Sequence, residues 1–303
     1  MKHKVRRILS LASVLVLGGC TLGMFAGCTT QHPEVTITYS FNGKDYAVHY
    51  KLSRNDAPRT VQHFLELADA GYYDGMCIHD YQEDALYSGG YKLVDGELEE
   101  VNYFEAVKKL EEEKGITFTQ SVWMNDEEKT PLYTVYGEFY GNGVDNQYAR
   151  ENRHKEGALV MYYTSKGKLN EKDVPDVVVE RADGGKHNDG NATQLVKYNT
   201  NSATSLFYTY TGYSNAKLDQ NYCVFGMADE DDYEKQLVGG LFAAIDEYAE
   251  NLDEEMSFTE SVTWRQLNQY EPFDAIVNAG EEATYLTPVD KPIIIKSVKV
   301  NKY

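Results

Sequence analysis

Two groups of side chains in this chain have types and spacings that could support chemistry. Asp183, His187 and Asp189 lie in one short stretch and offer oxygen and nitrogen ligands of the kind that bind metals. That stretch is rich in Lys, Asp, Gly and Asn, so the pattern favours a solvated loop over a metal site. The pairs Glu99–Glu100 and Glu111–Glu113 are the residue type that glycosidases use, but we interpret them as the solvated face of a helix.

The chain also contains four cysteines. Cys77 and Cys223 lie in apolar, strand-like runs, GMCIHD and YCVFG, and two side-chain thiols are too few for a disulfide framework or a zinc site. We therefore predict two buried free thiols. Cys20 and Cys28 each follow small residues, in LGGC and FAGC, which is the pattern of a bacterial lipidation signal.

The N-terminal residues have the layout of a secretory signal, with basic residues from Lys2 to Arg7 followed by an apolar run. We predict a signal peptide over 1–27, a lipid on Cys28 and a linker over 28–34, because the polar TTQHPE after this cysteine suits a linker. Cys20 is the alternative, since Leu17, three residues before it, suits the lipidation motif better than the residue three places before Cys28. An uncleaved anchor is a third option, because ~20 apolar residues can span a bilayer. The predicted location is extracytoplasmic, at the cell membrane.

Charge limits the partners that the folded part would bind. Removing the signal peptide takes away four basic residues and leaves 25 Lys+Arg against 48 Asp+Glu, a net charge of −23. Such a surface repels nucleic acid and anionic lipid. We therefore expect contact with the membrane through the N-terminal lipid only, no nucleic-acid partner, and a monomer.

Local patterns predict the elements that would position any site. Residues 35–52 alternate apolar and polar around an Asn-Gly turn, which indicates a hairpin. Residues 57–75 carry an apolar stripe at helical spacing, with a proline in the first turn and a glycine as the stop. Residues 99–114 and 233–250 show the same helical periodicity.

Most other segments have the composition of strands, among them ITFTQSVWM, ALVMYY, SLFYTYT, YCVFGMA and KPIIIKSVKV. The polar stretch 165–202 contains one apolar run, DVVVE, which suits an edge strand. A helical or irregular segment is expected over 259–280. Many strands with few helices are typical of a barrel or sandwich with helical additions.

Seven segments in chain order resemble the cyclophilins, the family of peptidyl-prolyl cis–trans isomerases. The run APRTVQHFLELADAGYYDGMCIHD (57–80) is similar to a family motif that begins AP-x-T-V and ends F-H-R. The other six are SGGY (88–91), YGEFYGNGVDN (136–146), EGALVM (156–161), NSATSLFY (201–208), LDQNYCVFG (218–226) and PIIIKSVKV (292–300). Together they extend over nearly the whole chain after the predicted signal, with insertions between them.

The resemblance implies a mainly β fold, a closed eight-stranded antiparallel barrel capped by two helices. One cyclophilin-like domain would occupy 35–303, with insertions near 92–131, 165–198 and 250–285. The implied reaction is rotation about the X–Pro bonds of peptides or exported proteins, which needs no metal or cofactor. The implied partners are therefore proline-containing peptides or exported proteins.

Carried over position by position, the resemblance also implies a divergent site. The family's arginine, which donates to the twisted amide, corresponds to Asp80, and an ionised carboxylate only accepts hydrogen bonds. We take His79 beside it as a satisfied structural histidine. The implied substrate groove consists of Ala85, Leu86, Ser88, Tyr162, Leu206, Tyr208, Leu218 and Tyr222.

These substitutions leave three hypotheses open. The chain is a weak isomerase, a peptide-binding or protein-binding module without turnover, or a structural lipoprotein. A substitute donor from the insertion after the groove strand would favour the first, and that insertion carries Lys166, Lys168, Arg181 and Lys186. A Tyr162 side chain that fills the proline pocket would weaken the first two.

Overall fold

A computed structural model describes residues 31–95, 97–142, 144, 153–162, 176–180, 185–187, 189–197, 202–253, 256–265, 282–288 and 290–303. The predicted signal peptide and both candidate lipidation sites, Cys20 and Cys28, lie outside these ranges. Within them, the helices are all too short or too polar to cross a bilayer.

The predicted N-terminal hairpin is confirmed as β1 (Glu34–Phe41) and β2 (Lys44–Leu52), which pair in antiparallel register. Asn42 and Gly43 join them with φ values of 47° and 80°. Two successive left-handed residues are what a two-residue turn needs to match the twist of the strands. Every second side chain of β1 is buried, so the alternation in the sequence marks the face that lines the core.

The larger sheet has eleven strands within the described ranges and curls strongly into a half-barrel. Besides β1 and β2 they are β3 (Met76–Cys77), β4 (Asp80–Gln82), β5 (Ala85–Ser88), β6 (Tyr91–Val94), β7 (Glu97–Glu100), β10 (Ala158–Met161), β14 (Phe207–Tyr210), β15 (Cys223–Ala228) and β18 (Ile294–Lys302). Their order is β4-β5-β14-β10-β15-β2-β1-β18-β3-β6-β7. The fold is therefore mainly β, as predicted.

Two helical regions pack their apolar sides on the same core as this sheet. Helix α1 (Pro58–Asp69) buries four large apolar side chains there. The predicted helix over 233–250 consists of a short α4 (Glu230–Asp232), a π-helix (Tyr233–Phe242) and α5 (Ala243–Glu250). A Cβ at Gly240 would lie 2.8 Å from the Tyr46 ring, so a glycine there lets the π-helix approach β2 closely.

Helix α2 (Tyr103–Lys114) begins four residues later than the sequence predicts, because 97–100 pairs with β6 as a strand. The side chain of Asn102 accepts the backbone N–H of Glu105 and caps the helix there. Shorter helical turns occur at α3 (Ala216–Asp219) and at a 3₁₀ turn (Tyr140–Asn142).

In a second sheet, of order β12-β11-β8-β9-β13, three of the five strands (β8, β11 and β12) lie in the insertions predicted near 92–131 and 165–198. Its strands are β8 (Val122–Met124), β9 (Pro131–Tyr136), β11 (Asp176–Glu180), β12 (Thr193–Lys197) and β13 (Ser202–Ala203). The prediction of an edge strand at DVVVE is wrong, since β11 lies between β8 and β12. Val177 and Val179 are fully buried there, in a small apolar cluster of their own.

The prediction of a helical or irregular segment over 259–280 is wrong for its first part. Residues 259–265 form β16 (Thr259–Arg265), which pairs along its full length with β17 (Glu282–Pro288). Threonine and valine in β16 suit an extended chain better than a helix. The remainder of the predicted segment, 266–280, lies outside the described residues.

Candidate functional site

Asp80 opens β4 and is 8% exposed. Its Oδ1 accepts the backbone N–H of Leu286 at 2.9 Å and the Nε2 of Gln82 at 2.7 Å. Burial raises the pKa of this carboxyl, and the two donated hydrogen bonds oppose that rise. The carboxylate therefore works as an acceptor for another part of the chain, where the resemblance implies a donor for the substrate.

The part of the chain that meets Asp80 is β17. Besides the Leu286 bond, the hydroxyl of Thr287 donates to the His79 backbone carbonyl at 2.8 Å. The Tyr285 ring meets the His79 ring edge to face, with centroids 5.4 Å apart. Tyr285, Leu286 and Thr287 thus contact His79 and Asp80. Tyr285 is the last residue of the insertion predicted near 250–285.

His79 is buried between two tyrosine rings, those of Tyr91 at 5.2 Å and Tyr285. Burial lowers the pKa of His79 to about 3, so the imidazole is neutral at any physiological pH. Its Nδ1 is buried and has no hydrogen-bond partner among the described residues. The prediction of a satisfied structural histidine is therefore wrong for this atom, although the packing role holds.

Four tyrosines from four strands or their ends form a tyrosine cluster on the outer face of the large sheet: Tyr87, Tyr162, Tyr208 and Tyr222. Tyr162 is central to it. Its ring lies 5.6 Å from Tyr87, 6.5 Å from Tyr208 and 6.3 Å from Tyr222, stacked on the last with only 12° between the planes. Burial raises the pKa of Tyr162 well above its ordinary value, and the neighbouring phenols add to the rise.

Tyr87 is a member of the cluster that the sequence analysis missed. Its ring lies 4.8 Å from that of Tyr208, its register partner across the β5–β14 ladder. The alternation along β5 could have found it, because Ala85 and Tyr87 face the same side of the strand.

The structure divides the other predicted groove residues between two faces. Ala85 and Leu218 pack on the tyrosine cluster, and Leu206 contacts Tyr162 from the side. Leu86 points the other way and belongs to the main core. Ser88 is fully buried, and its hydroxyl donates to the Cys77 carbonyl at 2.8 Å. Only the first three of these five residues therefore adjoin the cluster.

A buried histidine beneath the cluster was also missed. His154 is 0% exposed, and its Nδ1 lies 2.9 Å from Asp219 Oδ1, which also accepts the His154 backbone N–H. Its Nε2 lies 2.9 Å from the Tyr208 hydroxyl. Burial lowers the pKa of His154, and the nearby carboxylate opposes this. No local signal relates residues that are 54 and 65 positions apart in the chain.

The comparison that decides the family is a match over residues 36–230 to the family model described as cyclophilin type peptidyl-prolyl cis-trans isomerase/CLD. This chain belongs to the cyclophilin family. The resemblance seen in the sequence is thereby confirmed at the level of the family.

Individual relatives match this cyclophilin over shorter stretches. A 58-residue stretch is 40% identical to peptidyl-prolyl cis-trans isomerase CYP18-2 of Arabidopsis thaliana and covers 19% of this chain and 33% of that protein. A 44-residue stretch is 43% identical to peptidyl-prolyl cis-trans isomerase-like 1 of Rhizopus delemar, covering 14% and 27%. The chain thus spans about a third or less of the curated relatives that it matches.

Among solved structures, a cyclophilin-type isomerase of Cryptosporidium parvum is similar over 90% of this chain and 99% of its own, at 15% identity and a TM-score of 0.41. A second structure of the same protein, determined in the presence of the dipeptide Ala-Pro, covers 89% and 99% at 15% identity and a TM-score of 0.39.

The buried Glu138 connects this cyclophilin's second sheet to the main core. It is 1% exposed and accepts the backbone N–H groups of Thr60 at 2.8 Å and Arg59 at 3.3 Å, which are open donors at the first turn of α1. Burial raises the pKa of Glu138 to about 7, and these hydrogen bonds limit the rise.

The basic residues proposed as substitute donors do not reach Asp80 where they are described. Lys186 is exposed beside His187, whose ring packs on Tyr136 of the second sheet. Lys166, Lys168 and Arg181 lie outside the described residues, so their part of the hypothesis stays a prediction.

The remaining candidates for chemistry have structural roles where they are described. The described residues contain no group of three metal-binding side chains, and Asp183 lies outside them. His187 Nε2 lies 3.2 Å from the Val179 carbonyl. The predicted buried free thiols, Cys77 and Cys223, are confirmed, and burial raises the pKa of Cys77 to about 11.

Proposed function

We propose that this cyclophilin is an exported lipoprotein whose outer groove binds X–Pro segments of extracytoplasmic proteins and isomerises them weakly. The observation that carries the proposal is Asp80 at the family's arginine position, with its carboxylate already bonded to the Leu286 N–H. Membership of the family supports the reaction class. The state of Asp80 supports the low rate.

The expected size of the defect follows from the reaction. Rotation about a peptide bond has a barrier of ~18–20 kcal/mol that arises from partial double-bond character. An isomerase lowers this barrier by donating hydrogen bonds to the twisted amide. Loss of one such donor from other enzymes costs about 10²–10³ in rate. A buried carboxylate at this position supplies no donor when ionised, so we expect a loss of at least this order.

Export and anchoring rest on the N-terminal sequence. The basic start, the apolar run and the LGGC and FAGC motifs favour a cleaved signal and a lipid on Cys28 or Cys20. Mass spectrometry of the mature N-terminus would identify the modified cysteine. An unmodified, intact N-terminus would contradict the anchor.

We also propose that the large sheet closes into an eight-stranded barrel. Strands β3 and β4 lie near opposite flanks of the strand order, yet only Ile78 and His79 separate them in the chain. The backbone N–H of Ile78 donates to the carbonyl of Ile293, and the backbone N–H of His79 donates to the carbonyl of Tyr87. Residues 76–82 then act as one strand that pairs with β18 on one side and β5 on the other, and eight strands form the ring.

A second candidate function is peptide or protein binding without turnover. It is favoured by the half-buried rings of Tyr87 and Tyr222, which leave aromatic surface exposed beside the groove. Tyrosine-rich surfaces bind partners well, because each ring offers a large apolar area at low entropy cost.

Isomerase assays on an X–Pro peptide separate these functions when the full chain is compared with Asp80→Arg. We expect slow wild-type turnover and faster turnover in the variant. Asp253→Arg, an exposed position with the same change of charge, is the control and should leave the rate unchanged.

Each alternative result points elsewhere. Rapid wild-type turnover would contradict the weak-enzyme proposal. Flat traces for both proteins, together with measurable peptide binding, would favour the binding module.

A further inference from the structure

The segment Tyr285–Pro288 of β17, which we name the strap, lies against the start of β4. Its contacts there include the Leu286 N–H to Asp80, the Thr287 hydroxyl to the His79 carbonyl, and the Tyr285 ring against the His79 ring. Thr287 is fully buried, whereas Tyr285 and Leu286 are half-buried.

The strap and the Asp80 carboxylate are complementary as hydrogen-bond donor and acceptor. A strand presents backbone N–H groups, and the Asp80 carboxylate presents only acceptors. An arginine at this position would present donors and would face the Leu286 N–H without forming a bond. The residue that departs from the family pattern is thus the one that the strap requires.

The strap belongs to the chemical class that the groove is proposed to bind. It is extended, and it contains the X–Pro bond Thr287–Pro288 one residue after the N–H that Asp80 accepts. The Tyr285 ring, which packs on the His79 ring, also adds to the raised pKa of Tyr162, the central residue of the tyrosine cluster.

We infer that the strap is a built-in ligand that covers the groove through Asp80 and His79, and that the groove opens when these contacts break. This inference rests on the proposed function, and it assigns to Asp80 a role in regulating access.

The attachment is weak enough to be reversible. Among the described residues β17 pairs in a ladder only with β16, and a lone two-stranded hairpin is marginally stable in water. The two hydrogen bonds and the ring contact described above join it to His79 and Asp80. A competing extended segment can replace the two hydrogen bonds with equivalents of its own.

The test uses Asp80→Ala and Thr287→Val in the full chain, each with a conservative control. Asp80→Asn keeps a carbonyl oxygen for the Leu286 N–H, and Thr287→Ser keeps the hydroxyl. Three readouts are measured. They are hydrogen exchange of the Leu286 amide, nitration of Tyr162 followed by mass spectrometry, and binding of an Ala-Ala-Pro-Ala peptide.

We expect Asp80→Ala to speed exchange of the Leu286 amide about tenfold, the effect of one hydrogen bond, and to increase nitration of Tyr162. Peptide affinity should rise by a similar factor. Thr287→Val should show the same changes with smaller size, which keeps the test valid if Asp80→Ala folds poorly. Asp80→Asn and Thr287→Ser should stay near the wild type.

Unchanged exchange at Leu286 in Asp80→Ala would overturn the inference, and so would faster exchange with no change at Tyr162. If Tyr162 becomes reactive while neither protein binds the peptide, the strap stands and the proposed function fails.

Discussion

The inner and outer faces of the same strands differ in how their side chains pack. On the inner face, Leu159, Met161 and Phe207 join α1 in one continuous apolar core. On the outer face, the intervening positions Tyr162 and Tyr208 join the tyrosine cluster. Because successive side chains on a strand point to opposite sides, each strand contributes to both groups of side chains.

The inner face is constrained by close packing, since each ring there touches several others. The outer face is packed less tightly, because Tyr87, Tyr162 and Tyr222 are half-buried there, although Tyr208 is buried. Asp80 is the register partner of Tyr87 at the edge of this face. Side chains on the inner face therefore hold the sheet and α1 together, whereas those on the outer face leave aromatic surface exposed.

The largest effect on stability is expected from a substitution in the core on the inner face. Phe64 is fully buried with Tyr73, Phe207 and Phe225 at ring distances of 4.9–5.4 Å. Phe64→Ala should lower the free energy of unfolding by ~3–5 kcal/mol, measured by urea denaturation. Tyr222→Ala, on the half-buried outer face, should cost less than half as much. Equal losses would contradict the distinction between the faces.

The pH dependence of stability sharpens the same comparison at the first turn of α1. The pKa of Glu138 is about 7 in the folded chain, against an ordinary value of 4.5. Its contribution to stability is therefore complete below pH 4.5 and is lost as the pH rises through 7. Over this window the loss is about 3 kcal/mol.

Two buried histidines act in the opposite direction. The pKa of His63 is lowered to about 4 and that of His79 to about 3, so their contributions are present above pH 6.5 and lost as the pH falls. Glu138→Gln should therefore make stability rise more steeply between pH 4.5 and 7. An unchanged slope in denaturation measured across this range would show that Glu138 titrates normally.

A smaller effect is expected beneath the outer face. His154→Ala removes the contact of the imidazole with the Tyr208 hydroxyl and its contact with the Asp219 carboxylate. Leaving buried polar groups unsatisfied costs ~1–3 kcal/mol. Tyr208→Phe removes only the hydroxyl and should cost ~1 kcal/mol or less. Should both variants match the wild type in urea denaturation, the Asp219–His154–Tyr208 contacts would have no structural role.

The smallest effect on stability is expected at the turn between β1 and β2. Gly43 has a φ of 80°, so Gly43→Ala forces an alanine into the left-handed region at a cost of ~1–2 kcal/mol. Asn42→Gly, at the adjacent left-handed position, should change stability by about 0.5 kcal/mol or less. Thermal unfolding measures both, and a larger loss from Asn42→Gly would reverse the order.

Patterns within single segments were enough to predict features that depend on neighbouring residues or on the repeated apolar face of one helix or strand. The β1–β2 hairpin followed from alternation around Asn-Gly, α1 from its apolar stripe, and the free thiols from their apolar surroundings. The family followed from seven segments in chain order, which contain residues of both faces. The signal within each of these segments is local.

Only the tertiary structure decided the partners on the outer face. Asp80 could be recognised as a missing donor, but its acceptor role depends on Leu286, 206 residues away. The interior position of β11 and the strand at 259–265 likewise depend on which strands they pair with. Pairing between distant segments leaves no pattern within either one, so the sequence could not show which segment lies against Asp80.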